Sequence, residues 1–142
     1  IVEYGETGKR VIGICRGMQL LGESSTENGV NQGLGLVSGH TVHLSDLKNN
    51  SDSARVPRMG WHDVRGLSQL TNARISENSK MYFAHSFAMT GVKASEQILV
   101  SSFEGTEICV GISRGSFLGF QFHPEKSGSA GAKLISNWVK TL

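Results

Sequence analysis

The 142-residue sequence predicts an α/β fold, a mixed sheet with helices packed against it. Three observations carry that prediction. The run Val11–Ile14 is rich in β-formers and gives way, through glycine-punctuated residues, to Met18, Leu20 and Leu21, which suit a helix. Four more short apolar runs, at 80–87, 98–103, 108–113 and 117–122, are spaced for an antiparallel meander or hairpins. Leu134, Ile135, Trp138, Val139 and Leu142 recur at helical spacing and give an amphipathic C-terminal helix on the sheet.

The elements follow in chain order. The chain opens on Ile1-Val2-Glu3-Tyr4, without an initiating methionine, and residues 2–10 read as the end of a helix feeding the first strand. Residues 33–37 and 41–44 read as short strands, the second showing partial alternation in His-Thr-Val-His-Leu. Residues 45–55 are polar and turn-rich, a surface loop. Within it Asn49-Asn50-Ser51 matches a glycosylation acceptor, which carries no meaning in a cytoplasmic protein. Trp61, after Pro57, suits either a partner-facing surface or core packing. A parallel core with helices on both faces would place a functional site at the C-terminal ends of its strands.

Composition bounds the function. One domain is expected from the length, and 38% hydrophobic with 18% charged residues is ordinary for a globular protein. The net charge of +2 comes from bases scattered among acids, so no nucleic-acid footprint is visible. No apolar run reaches the roughly 20 residues of a membrane span, and no signal peptide opens the chain. Cys15 and Cys109 lie far apart without metal-type spacing, which fits a reducing cytoplasm. His40, His43 and His62 lack accompanying carboxylate or cysteine spacing, and Gly33-Leu34-Gly35 is not a phosphate loop, so neither metal nor cofactor is expected. Cys109, in an apolar run, reads as a small, inert core residue.

Two motifs carry chemistry. Gly13-Ile14-Cys15-Arg16-Gly17 is the nucleophile-elbow pattern with cysteine in the nucleophile's place. An abrupt strand-to-helix turn strains the central residue, and side-chain-free neighbours relieve the crowding. The thiol would stand at a helix start, and the backbone N–H of Arg16 would serve as an oxyanion donor. The plainer alternative is a buried cysteine at a glycine-rich turn. Gln121-Phe122-His123-Pro124-Glu125-Lys126 follows the last strand candidate. His123 has the intrinsic basicity to take a thiol proton, and Glu125, two residues on, can fix its tautomer. Alone this would be a solvated turn; paired with the cysteine elbow it completes a triad of Cys15, His123 and Glu125.

The stretches Gly-Ile-Cys-Arg-Gly-Met-Gln at 13–19 and Gln-Phe-His-Pro-Glu-Lys-Ser at 121–127 resemble the class I, triad-type glutamine amidotransferases. The closest resemblance is to the glutaminase subunit of imidazole glycerol phosphate synthase. It is carried also by Gln19-Leu20-Leu21-Gly22-Glu23-Ser24-Ser25, Gly33-Leu34-Gly35-Leu36-Val37, Val56-Pro57-Arg58-Met59-Gly60-Trp61 and Tyr82-Phe83-Ala84-His85-Ser86-Phe87, in the family's order. The resemblance implies a three-layer, flavodoxin-like fold with a mixed sheet. It implies glutamine hydrolysis through a γ-glutamyl thioester, with ammonia passed to a barrel-shaped cyclase as the obligate functional partner. It also implies that Gln19 contacts the bound glutamine and that 82–87 hold its α-groups, with His85 and Ser86 at binding positions. The family's first strand and helix, and a glycine-rich loop supplying a second oxyanion donor, have no counterpart here. The expectation is therefore one amidotransferase domain over 1–142, N-terminally truncated.

The sequence also departs from the pattern. Arg16 stands where the histidine-pathway enzymes usually carry leucine, and Arg58 and His62 replace a histidine and an asparagine. Residues 45–55 are longer than usual. Three alternatives stay open: a paralogue supplying ammonia for surface-sugar amidation, a γ-glutamyl peptidase whose elbow likewise reads Cys-Arg-Gly, and a non-catalytic binding module.

Overall fold

The computed structural model describes residues 1–47, 55–67 and 79–140. A short helix α1 (Val2–Glu6) leads to strand β1 (Val11–Ile14) and helix α2 (Arg16–Leu20). Two-residue strands β2 (Ser24–Ser25) and β3 (Asn31–Gln32) form a small antiparallel pair, followed by β4 (His40–His43) and a 3-10 turn at Leu44–Leu47. Then come β5 (Arg58–Gly66), β6 (Ser79–His85), β7 (Phe87–Thr90), β8 (Gln97–Phe103), β9 (Thr106–Arg114) and β10 (Phe117–Phe120). A 3-10 turn at Pro124–Lys126 precedes helix α3 (Gly128–Lys140).

Among the described residues the strands form a mixed sheet in the order β3-β2-β4-β7-β9-β8-β5-β6, from which β10 branches off β9 and carries β1. The expected meander is present: β8, β9 and β10 pair antiparallel in succession. Beside it β1 runs parallel to β10, with Gly13 opposite Gly119 and Ile14 opposite Phe120.

Two apolar clusters lie on the two faces, as the period-two alternation of strands requires. Leu118 and Phe120 point with Phe83, Phe122, Val110 and Leu134 into the larger cluster, where Trp138 of α3 also packs. Phe117 and Ile112 point the other way, toward Met18 of α2 and Leu21 just after it. On that second face Gly13 and Gly119 lie side by side so that α2 can come close. A Cβ on Gly13 would stand 2.5 Å from the backbone of Gly17, and one on Gly119 would stand 2.9 Å from Met18 Cγ. The sheet is thus a middle layer between α3 and the α1/α2 side.

Three expectations need correction. Residues 33–37 are not a strand; the N–H groups of Leu34, Leu36 and Val37 bond the Leu20 and Leu21 carbonyls at the end of α2, and that of Gly35 bonds Gly22. The segment caps a helix instead of joining a sheet, because those carbonyls have no partner within their own helix. Residues 80–87 are two strands, broken at Ser86, since β6 pairs β5 while β7 crosses to β4 and β9. Strand β5 was not anticipated as a strand. Its alternation is inverted: Arg58 is buried, whereas Met59 and Trp61 are 59% and 52% exposed. The core-packing option for Trp61 therefore falls. Of the surface loop expected at 45–55, the start is the 3-10 turn; residues 48–54, with the Asn49-Asn50-Ser51 motif, lie outside the described residues, as does Leu142.

Candidate active site

Parallel pairing of β1 with β10 brings their C-terminal ends together, so the residue that follows each strand emerges at one sheet edge. After β1 that residue is Cys15, whose N–H bonds the Phe120 carbonyl at 2.7 Å. Cys15 adopts φ 53° and ψ −108°, a left-handed conformation that costs a side-chain-bearing residue on the order of 1–3 kcal/mol. The strain turns the chain directly into α2, whose packing requires the bare face of Gly13. The predicted elbow is present, with close packing at Gly13 but open space at Gly17.

After β10 the chain bends through Gln121 and Phe122 to His123, whose N–H bonds the Tyr82 carbonyl at 2.9 Å. His123 Nδ1 lies 2.7 Å from Glu125 Oε1. A carboxylate on Nδ1 makes that nitrogen the proton-bearing one and leaves Nε2 as the base. Ser127 clamps the turn: its hydroxyl donates to the His123 carbonyl at 2.6 Å and accepts from Tyr82 N–H at 2.9 Å.

Cys15 and His123 line one cavity of about 520 Å³. Gln19, His85, Ser86 and Arg16 line it too, so the structure brings together the expected nucleophile, base and binding residues. Glu125 sits behind His123, half exposed. The thiol is half-buried, and burial, the largest influence, raises its pKa above the ordinary value. The backbone N–H of Arg16, the Arg16 guanidinium and the Gln121 amide oppose that rise, while the Glu125 carboxylate adds to it. Burial thus favours the protonated thiol, and the His123 imidazole lines the same cavity.

The binding candidates differ in character. Gln19 is buried, and its amide nitrogen donates to the Phe87 carbonyl and to Gln121 Oε1, each at 2.9 Å. Both its N–H groups are committed, so a ligand contact falls to its oxygen. His85 is buried, with Nδ1 2.8 Å from the Phe87 carbonyl; that bond places the proton on Nδ1, and Nε2 has no partner. Burial lowers its pKa to about 4, so it is a neutral acceptor at pH 7. Ser86, at the break between β6 and β7, lines the cavity.

Two residues here had been given no role. Gln121, fully buried, points its amide at the Cys15 sulfur from 3.7 Å while accepting from Gln19. Its place immediately after a strand and two residues before His123 was the available signal. Glu27 lines the cavity from the β2–β3 connection and pairs with Arg16. No local pattern announces it, since only the fold brings that polar hairpin to the cavity that Cys15 lines.

Elsewhere, His40, His43 and His62 bond Ser24, Ser45 and the Met59 carbonyl respectively. Among the described residues no group of three His, Cys, Asp or Glu side chains stands together to hold a metal. Cys109 is buried with its thiol pushed up to about 12, and no described helix is long and apolar enough to cross a membrane.

The imidazole glycerol phosphate synthase subunit HisH of a Geobacillus species is 34% identical over 142 residues, covering 100% of this chain and 67% of the relative. The same subunit of Bacillus velezensis is 38% identical, covering 95% of this chain and 63% of the relative. That of Methanosarcina mazei is 37% identical, covering 99% and 67%. The chain thus spans about two thirds of the length of these relatives. Among solved structures, PurLQS from Thermotoga maritima superposes with a TM-score of 0.71 at 19% identity, covering 99% of this chain and 65% of that one. A glutamine amidotransferase from the same organism gives 0.62 at 18%, covering 99% and 49%. These two show the fold, a mixed α/β sheet of the amidotransferase type. Residues 1–142 match the family described as glutamine amidotransferase class-I, and the chain belongs to that family.

Proposed function

We propose that this chain is the glutamine-hydrolysing part of an imidazole glycerol phosphate synthase. Cys15 attacks the glutamine carboxamide carbon, its proton passing to His123 Nε2. His123 then protonates the departing ammonia, and a water activated by the same imidazole releases glutamate from the thioester. Glu125 holds the imidazole in its working tautomer, and the Arg16 N–H faces the developing oxyanion. Gln19, His85 and Ser86 position the substrate. The observation that carries this reading is the strained Cys15 in the cavity that His123 also lines.

The ammonia goes to a cyclase partner of the synthase, in the cytoplasm. An exposed apolar pair supports docking near the cavity: Met59, which lines it, and Trp61, two residues along the same face of β5. The test is ammonia release from glutamine by the chain assayed with the cyclase. Cys15→Ala should lower it by on the order of 10⁴-fold, and a diazoketone analogue of glutamine should label Cys15 alone. Turnover by Cys15→Ala at the normal rate would end the proposal. Arg16, shared with γ-glutamyl peptidases, motivates a second reading; hydrolysis of γ-glutamyl peptides without a partner would favour it.

A further inference from the structure

Arg58 carries a buried charge that the proposed reaction does not use. It is 3% exposed, and only Nη2 of its guanidinium is bonded, donating to Ser101 Oγ at 2.7 Å and to the Ser102 carbonyl at 3.0 Å. Nε and Nη1 reach no acceptor, which leaves one N–H on the first and two on the second unmet. Among the described residues no carboxylate forms an ion pair with Arg58. The Phe83 ring, its centroid 4.1 Å from Cζ, offsets part of the charge. Burial lowers the pKa to about 10, so the group stays protonated at pH 7. A charge enclosed in this way without a counter-charge is costly.

Arg58 also lines a cavity of about 470 Å³, whose wall includes Arg55, His62 and Glu104. Arg55 is exposed and brings a second guanidinium, against Glu104 as the one carboxylate on that wall among the described residues. The space is distinct from the catalytic cavity, although Pro57 and Met59 line both. Two guanidiniums at one concave space, one of them buried and short of acceptors, complement an anion with several oxygens.

We infer that this cavity is a binding site for a small tetrahedral oxyanion of the phosphate type. Its oxygens, pointing in several directions, meet donors on more than one wall, which a planar carboxylate cannot do. Arg55 supplies the direct contact from the exposed side, and the anion supplies the counter-charge that Arg58 lacks. Binding there needs no turnover, so its test is independent of the glutaminase reading.

The test is calorimetric titration of the chain with inorganic phosphate, paired with thermal scans, at an ionic strength held constant with sodium chloride. Wild type should show one saturable binding event that raises Tm, and sulfate should compete for it. Arg55→Ala, at an exposed position, should weaken phosphate binding roughly tenfold. Glu104→Gln, which removes the carboxylate from the wall, should tighten it by at least about twofold. Arg58→Met should abolish it; should that variant fail to fold, the Arg55→Ala and Glu104→Gln affinities decide alone. No saturable binding by the wild type overturns the inference. So does binding that survives unchanged in a folded Arg58→Met, or that neither Arg55→Ala nor Glu104→Gln alters.

Discussion

Cys15, the proposed nucleophile, is held as a thiol. Its pKa is raised, burial outweighing the Arg16 N–H, the Arg16 charge and the Gln121 amide. A raised pKa keeps the sulfur protonated at neutral pH, so reactivity toward a simple electrophile should climb with pH and pass its midpoint above that of an ordinary thiol. Iodoacetamide rates measured across pH 6–11 without glutamine check this; a plateau already reached near pH 7 would contradict it. Mass spectrometry of the folded protein should find Cys15 modified and Cys109 untouched, because burial pushes the second thiol to about 12. Reading these residues one at a time, the sequence already pointed to Cys15, His123 and Glu125, of which Cys15 and His123 line one cavity and Glu125 bonds His123. It missed Gln121 and Glu27, whose meaning depends on what stands across the cavity.

At the scale of elements, the site depends on how closely helices seat. Helix α3 approaches the turn that carries His123 and Glu125 so tightly that a Cβ on Gly131 would stand 2.0 Å from the Pro124 carbonyl oxygen. That obstacle is backbone, which cannot swing aside as a side chain does. Gly131→Ala should therefore lower Tm by roughly 3–10 °C and reduce glutaminase kcat/KM as the turn shifts. Gly17→Ala, whose Cβ would meet nothing within 4 Å, should cost no Tm in the same thermal scans. The strands show where sequence pattern succeeds. β8, β9 and β10 were legible because each carries an apolar run. β5 was hidden because it buries Arg58, whose Nη2 donates to Ser101 Oγ at 2.7 Å and whose guanidinium lies 4.1 Å from the Phe83 ring centroid, while it exposes Met59 and Trp61.

At the scale of the whole molecule, a buried carboxylate ties distant segments together. Glu96 accepts from the Ser38 N–H at 2.8 Å and its hydroxyl at 2.5 Å, and pairs with Arg114 at 3.4 Å. Burial raises its pKa, but the Ser38 bonds, Arg114 and Lys93 together hold it below the ordinary carboxylate value. A carboxyl group with a depressed folded pKa stabilises the fold above its unfolded pKa of about 4.3, and that contribution is lost as pH falls through the folded value. Thermal scans from pH 7 to pH 3 should show wild type losing Tm below about pH 4.3. Glu96→Gln should start lower at pH 7, by roughly 1.5–3 kcal/mol of stability, and fall less steeply with acid. Identical slopes would remove Glu96 from the acid response.

By itself the sequence determined the elbow, the His-Pro-Glu turn, the meander and the terminal helix, because each is written in neighbouring residues: glycine spacing, an i, i+2 pair, apolar periodicity. Only the tertiary structure decided that 33–37 cap a helix, that 80–87 change partners at Ser86, and that Glu27 joins Cys15 in lining one cavity. Those outcomes turn on which distant segment offers a free hydrogen-bonding group or an opposite charge, and no local pattern encodes the identity of a partner brought near only by folding.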